Sequence, residues 1–342
     1  MKVLVSALEP SSNLHLKEVL KHTKEIELLG IFDKSLGTPL YDISEMAIMG
    51  VVDAIKKLRW FFKVADEMVA LAKDADKILL MDSSGFNLPL AKKLKKAYPN
   101  KEIIYYILPQ IWASRPKRSI KLEKYCDKLL GILPFEIGYY QSKAEYIGHP
   151  LLDEIQIDQE IKKEYIAFMP GSRKSEIARL LPIFKEVRKE LKHKKALLII
   201  PKTFSDEKIK SFYGEISAFE IERETHMALA KSEFAFICSG TATLEAALIG
   251  TPFTLSYIAK KVDFFIGTKI LGIKQVGLAN IILTKHNNTT LHNELLQENV
   301  TVENLLKEYK QTDRSIFKNK AKELKAYLAY GSSKNIAEVL KN

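Results

Sequence analysis

At 342 residues, 46% hydrophobic and 28% charged, the chain is too long for one small core and suits two α/β domains at roughly 100–200 residues each. Its two cysteines, Cys126 and Cys238, lie far apart in apolar segments without CxxC spacing, which excludes a cysteine-built metal cage and reads as two buried, reduced thiols. Part of the net charge of +11 is concentrated between Lys92 and Lys128, where eleven Lys or Arg stand against Glu102, Glu123 and Asp127; such a stretch serves nucleic acid, anionic headgroups or a phosphorylated substrate, or is simply a solvated face.

In chain order, MKVLVSALEP meets Glu9 too soon for a signal peptide and reads as a first strand, which predicts a cytoplasmic chain. KVLVSAL, IELLGIF, KILLMD, EIIYYIL and KLLGILP are strand candidates of the first half, with helices in LHLKEVLKH and LPLAKKLKKAY between them. Asn13 is placed to cap a helix beginning near Leu14, and Asp82 closes KILLMD well before a helix expected near Leu88. IGHPLLDEIQID, residues 147–158, has the mixed, turn-forming composition of a linker. YIAFMP, ALLIIP, FEIE, FAFICS and PFTLSYI repeat the strand theme, alternating with helices opened by Ser175, near HMALAKS, and in TATLEAALIG, which Gly250 and Pro252 close. Ile177, Leu180, Leu181, Phe184, Val187 and Leu191 follow helical spacing, but Pro182 falls among them and predicts a kink or two short helices. From about Thr312 onward the pattern is helical and charged, and no stretch is long and apolar enough to span a membrane.

Strand–helix alternation in both halves implies parallel sheets with right-handed crossovers, hence an α/β fold of two doubly wound, Rossmann-like domains facing a cleft. Ligands then sit at the C-terminal ends of strands. After one strand, FMPGSRKSEI turns straight into a helix and offers N–H groups, Arg173 and Lys174 to an anion, without the glycine and Lys-Ser spacing of a P-loop. After another, Ser239, Gly240 and Thr241 allow a phosphate close to backbone, and Glu245 suits a ribose or merely complements the helix dipole. In the first half Asp82 and Glu9 both end strands, and either carboxylate can act as a base. The seven histidines form no HExxH and no metal-ligand pair, so no metal and no cofactor is expected; His149 in GHP stands out among them.

MAIMGVVDAIKKLRW (46–60), LMDSSGFNLPLAKKLKK (80–96), ILPQIWASRPKR (107–118), LPFE (133–136), YIGHPLLD (146–153), PGSRKSEI (170–177), SGTATLEAAL (239–248), GLANII (277–282) and ELLQE (294–298) occur in the order seen in one family. In them the chain resembles the lipid-A-disaccharide synthases, inverting glycosyltransferases of the GT-B type, over nearly its whole length. The resemblance implies transfer from UDP-2,3-diacylglucosamine to 2,3-diacylglucosamine 1-phosphate, giving lipid A disaccharide 1-phosphate and UDP. It implies a UDP-sugar site at Gly171, Ser172, Arg173, Ser239, Gly240, Thr241, Glu245, Asn280 and Gln297, and catalytic roles for Asp82 and Glu9. Arg115, Arg118 and His149, with Met49, Trp60, Phe61 and Phe62, would face the acceptor or the membrane. The helical stretch 46–73 mixes those apolar residues with Lys56, Lys57, Arg59 and Lys63, a pattern that fits a cation-ringed membrane surface on the cytoplasmic face of the inner membrane and equally a buried helix pair.

Domains are accordingly expected at 1–153 (acceptor and membrane), 154–311 (UDP-sugar) and 312–342, helices packing back on the first domain or on the partner in a homodimer with exchanged C-terminal elements. The chain departs from the family where Leu8-Glu9-Pro10-Ser11-Ser12-Asn13 replaces a GE-SGD pattern, and where Gly85 and Ala279 replace an acid and a proline. A different UDP-N-acetylglucosamine transferase or an epimerase stays open as an alternative. A nucleic-acid binder has only the basic stretch in its favour, since no RNP, KH or helix-turn-helix signature accompanies it, and no nucleic-acid partner is expected.

Overall fold

The computed structural model describes residues 1–45, 54–157, 161–259 and 275–342, with the side chains of 54–58 left aside. They form two compact units, 1–154 with 328–342, and 155–327. In chain order the strands of the first unit are β1 (Lys2–Ala7), β2 (Glu27–Ile31), β3 (Lys77–Met81), β4 (Ile103–Tyr106), β5 (Lys128–Gly131) and β6 (Ala144–Tyr146). The second unit has β7 (Tyr165–Met169), β8 (Lys195–Ile199), β9 (Glu220–Glu222), β10 (Ser232–Cys238), β11 (Phe253–Tyr257) and β12 (Glu294–Leu296). The helices are α1 (Pro10–Lys21), α2 (Ala54–Leu71), α3 (Ser84–Ala97), α4 (Arg118–Tyr125), α5 (Pro150–Glu154), α6 (Lys174–Glu190), α7 (Asp206–Tyr213), α8 (Thr225–Ala230), α9 (Thr241–Ile249), α10 (Leu278–Asn287), α11 (Val302–Gln311), α12 (Arg314–Leu328) and α13 (Ser332–Lys341).

Each unit holds one six-stranded parallel sheet, in the order β2-β1-β3-β4-β5-β6 and β12-β11-β10-β7-β8-β9. Strand order reverses once in each, between β1 and β3 in the first and between β7 and β10 in the second. At such a switch point the two crossovers leave in opposite directions and open a crevice beyond the strand ends, where ligands bind in doubly wound sheets. Ala7 pairs with Met81 and Met169 with Ile237, so the loops 8–9 with 82–83, and 170–173 with 239–240, each emerge side by side.

Both faces of the first sheet are covered, which the alternation along β1 dictates. Leu4 joins Val64, Met68, Leu90 and Leu94 on one face; Val3, Val5 and Ala7 join Leu16, Val19, Ile336 and Leu340 on the other. In the second unit Ile166 and Phe168 pack on Ile177, Leu180, Leu181, Phe184 and Val187 of α6. Phe168 lies 5.8 Å from Phe184 and 5.3 Å from Phe236, centroid to centroid. This burial carries α6 through Pro182 as one helix, which excludes the second of the two expected outcomes, a pair of short helices; the lost N–H bond is offset by an apolar stripe that reaches the core only if the helix continues. Two other expectations also move. α1 begins at Pro10, so Asn13 is no cap but a brace inside it, donating to the Ala7 and Glu9 carbonyls and accepting from the Asp33 N–H. α3 begins at Ser84, four residues early, which puts Asp82 directly before its N-cap residue, Ser83. The 312–342 segment is divided: α12 belongs to the second unit up to Tyr327, with Phe317 against Phe253, while α13 packs in the first with its N-terminal Gly331 and Ser333 N–H groups held by Asp153.

Candidate active site

At the first switch point, Asp82 and Ser83 take left-handed backbone conformations in succession, with φ of 48° and 37°. Two adjacent non-glycine residues held there store backbone strain, a cost that persists only where the surroundings fix the turn. Three bonds do so. Asn87, fully buried, donates to the Met81 and Asp82 carbonyls, and the Tyr105 hydroxyl donates to the same Asp82 carbonyl. Burial, aided by the Glu9 carboxylate, pushes the Asp82 pKa up; the Ser83 N–H and His15 oppose that rise. Glu9, the exposed N-cap residue of α1, accepts from Ser83 Oγ at 3.3 Å. Arg118 reaches the same turn, donating to Ser84 Oγ at 2.7 Å. Asp82, Glu9 and Arg118 thus converge, while Arg115 is exposed in the preceding loop with φ 56°.

His149 is different. It is buried at 3% exposure, its Nδ1 accepts the Leu151 N–H at the start of α5, and burial drives its pKa down to about 3. It is a neutral structural histidine, which corrects the expectation that it faces acceptor or membrane. Trp60 and Phe61, expected to face the acceptor or the membrane, are half-buried and pack against the first core, Trp60 edge-on to Tyr41 at 5.5 Å and Phe61 against Phe86 at 5.5 Å. Phe62, half exposed at 52%, keeps its place on the surface, and Met49 lies outside the described residues.

At the second switch point the loop after β7 turns on Gly171, whose φ of +105° excludes most side chains; a Cβ there would meet Glu176 Oε2 at 2.6 Å. Glu176 is the residue the sequence did not announce. Its carboxylate accepts the Ser172 and Arg173 N–H groups, each at 3.2 Å, and pairs with the Arg173 guanidinium at 2.8 Å. Two of the N–H groups that were expected to meet an anion, those of Ser172 and Arg173, are therefore held by the chain's own carboxylate, a capping box three residues into the helix. The Arg173 side chain itself is 79% exposed, and its remaining donors point to solvent. After β10, Gly240 and Thr241 are exposed at the start of α9, with Ser239 half-buried beside them. Glu245 lies one turn on, 3.6 Å from His226 Nε2 of α8.

Asn280 is committed elsewhere, and Gln297 in part. The buried Asn280 amide donates to His292 O and Glu294 Oε1 and accepts the Leu291 and His292 N–H groups, which exhausts its capacity and makes it a brace for the 291–294 segment. Gln297 accepts the Ala259 N–H at 2.7 Å. Among the described residues no group of His, Cys, Asp and Glu could hold a metal ion, and no helix is long and apolar enough to cross a membrane.

A family model described as lipid-A-disaccharide synthetase matches residues 3–340. The lipid-A-disaccharide synthase of Helicobacter pylori strain J99 is 50% identical over 98% of this chain and 97% of its own. That of Campylobacter jejuni strain RM1221 is 45% identical over 98% of each. Among solved structures, the spinosyn rhamnosyltransferase SpnG complexed with thymidine diphosphate covers all of both chains at a TM-score of 0.62 and 10% identity, a likeness of GT-B fold.

Proposed function

The chain belongs to the lipid-A-disaccharide synthetase family, and from that premise we propose how its two switch points divide the work of a glycosyltransferase of lipid A assembly. The reaction joins UDP-2,3-diacylglucosamine to 2,3-diacylglucosamine 1-phosphate and releases UDP. The observation that carries the division is the placement of an acid pair with a cation at one strand-order reversal, and of Arg173 with a small-residue helix start at the other.

In the second unit Arg173 and the α9 N-terminus at Gly240 and Thr241 receive the UDP diphosphate, whose charge grows as the glycosidic bond breaks. Glu245 takes the ribose hydroxyls. In the first unit Asp82 accepts the proton of the acceptor sugar hydroxyl as it attacks the anomeric carbon in a single in-line displacement, which inverts that centre. Glu9 shares the site through Ser83, and Arg118, with exposed Arg115 and Lys117 beside it in the chain, suits the acceptor phosphate. Asp82 outranks Glu9 as base because it is the more buried of the two and sits on the braced turn. Substrates that carry acyl chains reside in a bilayer, and the protein meets them peripherally at the cytoplasmic face of the inner membrane.

Asp82→Asn keeps shape and removes basicity, so it lowers turnover by on the order of 10²–10⁴ with UDP affinity unchanged. Glu9→Gln costs less. A near-normal rate for Asp82→Asn together with collapse of Glu9→Gln would transfer the base role to Glu9.

A further inference from the structure

One backbone carbonyl of the acid turn, that of Asp82, accepts from two side chains, the Tyr105 hydroxyl at 2.5 Å and the Asn87 amide at 3.1 Å. Both residues are fully buried and come from different elements, β4 and the first turn of α3. A third buried residue, Ser6 of β1, donates to Asn87 Oδ1 at 2.6 Å, which leaves the amide nitrogen to the Met81 and Asp82 carbonyls. We propose that Tyr105 is a positioning residue for the reaction: its hydroxyl, together with Asn87 as set by Ser6, holds the strained Asp82–Ser83 turn in the conformation from which the Asp82 carboxyl works. This inference rests on the assignment of Asp82 as base.

The Asp82 carbonyl belongs to the planar peptide group that joins residues 82 and 83, so its direction sets ψ of Asp82 and φ of Ser83 together. With φ of 48° and 37°, those two residues relax toward ordinary backbone angles unless that peptide is fixed, and relaxation carries the Asp82 side chain with it. Asn87 alone already satisfies the carbonyl, so burial does not call for a second donor. Tyr105 adds one from a stiff side chain whose ring packs among Leu80, Ile103 and Leu129 of the first core. Burial, with the Asp82 carboxylate, pushes the Tyr105 pKa well above the usual tyrosine value, which keeps the hydroxyl a donor.

The next residue on β4 supplies the comparison. Tyr106 is also fully buried, and its hydroxyl also makes a bond, to Ser332 Oγ at 3.0 Å. It lies on the opposite face of the sheet, in the core of Val3, Val5 and Ile336. The two tyrosines thus share strand, burial and chemistry and differ in what the hydroxyl holds. A packing role would make their hydroxyls equivalent to the enzyme, whereas a positioning role sets Tyr105 apart.

The test compares Tyr105→Phe, Tyr106→Phe and Ser6→Ala in the full-length protein, each alone and combined with Asp82→Asn. It reads kcat and KM with both diacylated substrates, UDP affinity by calorimetry, and melting temperature. Tyr105→Phe is expected to lower kcat about 10- to 100-fold with KM and UDP affinity unchanged, the signature of a misplaced group that acts only in the transition state. Ser6→Ala, which loosens the same carbonyl through Asn87, shows the same split at smaller size. Tyr106→Phe keeps kcat within about twofold, although it loses a comparable few degrees of melting temperature with its buried bond. Combined with Asp82→Asn, Tyr105→Phe costs no further rate, because the group it positions is already disabled. Equal kcat losses in the two phenylalanine variants, no loss in either, or an undiminished loss in the Asp82→Asn background would each overturn the inference. A near-normal rate for Asp82→Asn alone is a separate result; it would overturn the base assignment and this inference with it.

Discussion

Arg173 shows how much a single side chain's neighbours decide. The residue was expected at a phosphate-binding turn whose backbone N–H groups were open, but the Glu176 carboxylate already takes two of them and one arm of the guanidinium. The loop is thus organised before any ligand arrives, and what remains for the diphosphate is the exposed part of the Arg173 fork. A charge-assisted bond of this kind is worth about 1.5–3 kcal/mol, so Arg173→Ala weakens UDP binding by roughly 10- to 150-fold and lowers turnover with it. Calorimetric titration with UDP checks this; equal affinity in the variant would mean that Arg173 serves only its bond to Glu176. Asn280 teaches the converse lesson. Its amide is spent on the 291–294 segment, so a residue type chosen for ligand contact turns out to brace the chain.

Among the helices, α2 carries the open question of membrane contact. Trp60 and Phe61 are spent on the core, whereas Phe62 is 52% exposed with Lys93 5.5 Å above its ring, and Ile120 of α4 is 64% exposed between Lys117, Lys121 and Lys124 of the sequence. α2 packs on α3 and α3 on α4, so these apolar tips and cations belong to one layer of the first unit. Phe62→Glu combined with Ile120→Glu is expected to cut flotation with anionic vesicles several-fold while leaving the melting temperature within a few degrees, as surface changes do. Undiminished flotation would place the membrane contact elsewhere. Most of these elements were legible beforehand, because fully buried parallel strands read as apolar, β-branched runs and the helices show a 3.6-residue stripe. Ala144–Tyr146 and Glu294–Leu296 were not, being three-residue edge strands of half-exposed, mixed residues. The acids at strand ends were visible as candidates; that they converge was not. Convergence follows from strand order, and contacts such as His15 to Glu154 leave no periodic trace.

For the whole molecule, the buried ionisable groups differ between the units and predict different acid sensitivity. In the second unit burial lowers the His292 pKa from 6.5 to about 4, so the unfolded chain binds a proton there that the folded one refuses. That stability is full above pH 6.5 and is lost as pH falls toward 4. Glu222 and Glu233, held below the usual range by their ion-pair and hydrogen-bond partners in spite of burial, add a further loss at lower pH. In the first unit His149 acts like His292 and Glu102, held low by Lys77 and Lys128 in spite of burial, acts like Glu222, but Glu136 acts oppositely: burial raises its pKa from 4.5 to about 7, so the folded state holds the extra proton and gains as pH falls through that window. Both tryptophans, Trp60 and Trp112, belong to the first unit, so their fluorescence reports it alone, while far-ultraviolet circular dichroism reports both. On acidification from pH 7, dichroism is expected to fall at a higher pH than the tryptophan signal; coincident transitions would show that the units unfold together or that these groups do not set the difference. The chemistry assigned to the two switch points is the premise on which the other roles depend. Its most direct test incubates the pure protein with UDP-2,3-diacylglucosamine and 2,3-diacylglucosamine 1-phosphate and follows products by mass spectrometry and the new anomeric centre by proton NMR. Equal amounts of UDP and a disaccharide 1-phosphate with inverted configuration at the donor carbon are expected, and a retained configuration, or the absence of both products, would rule that chemistry out.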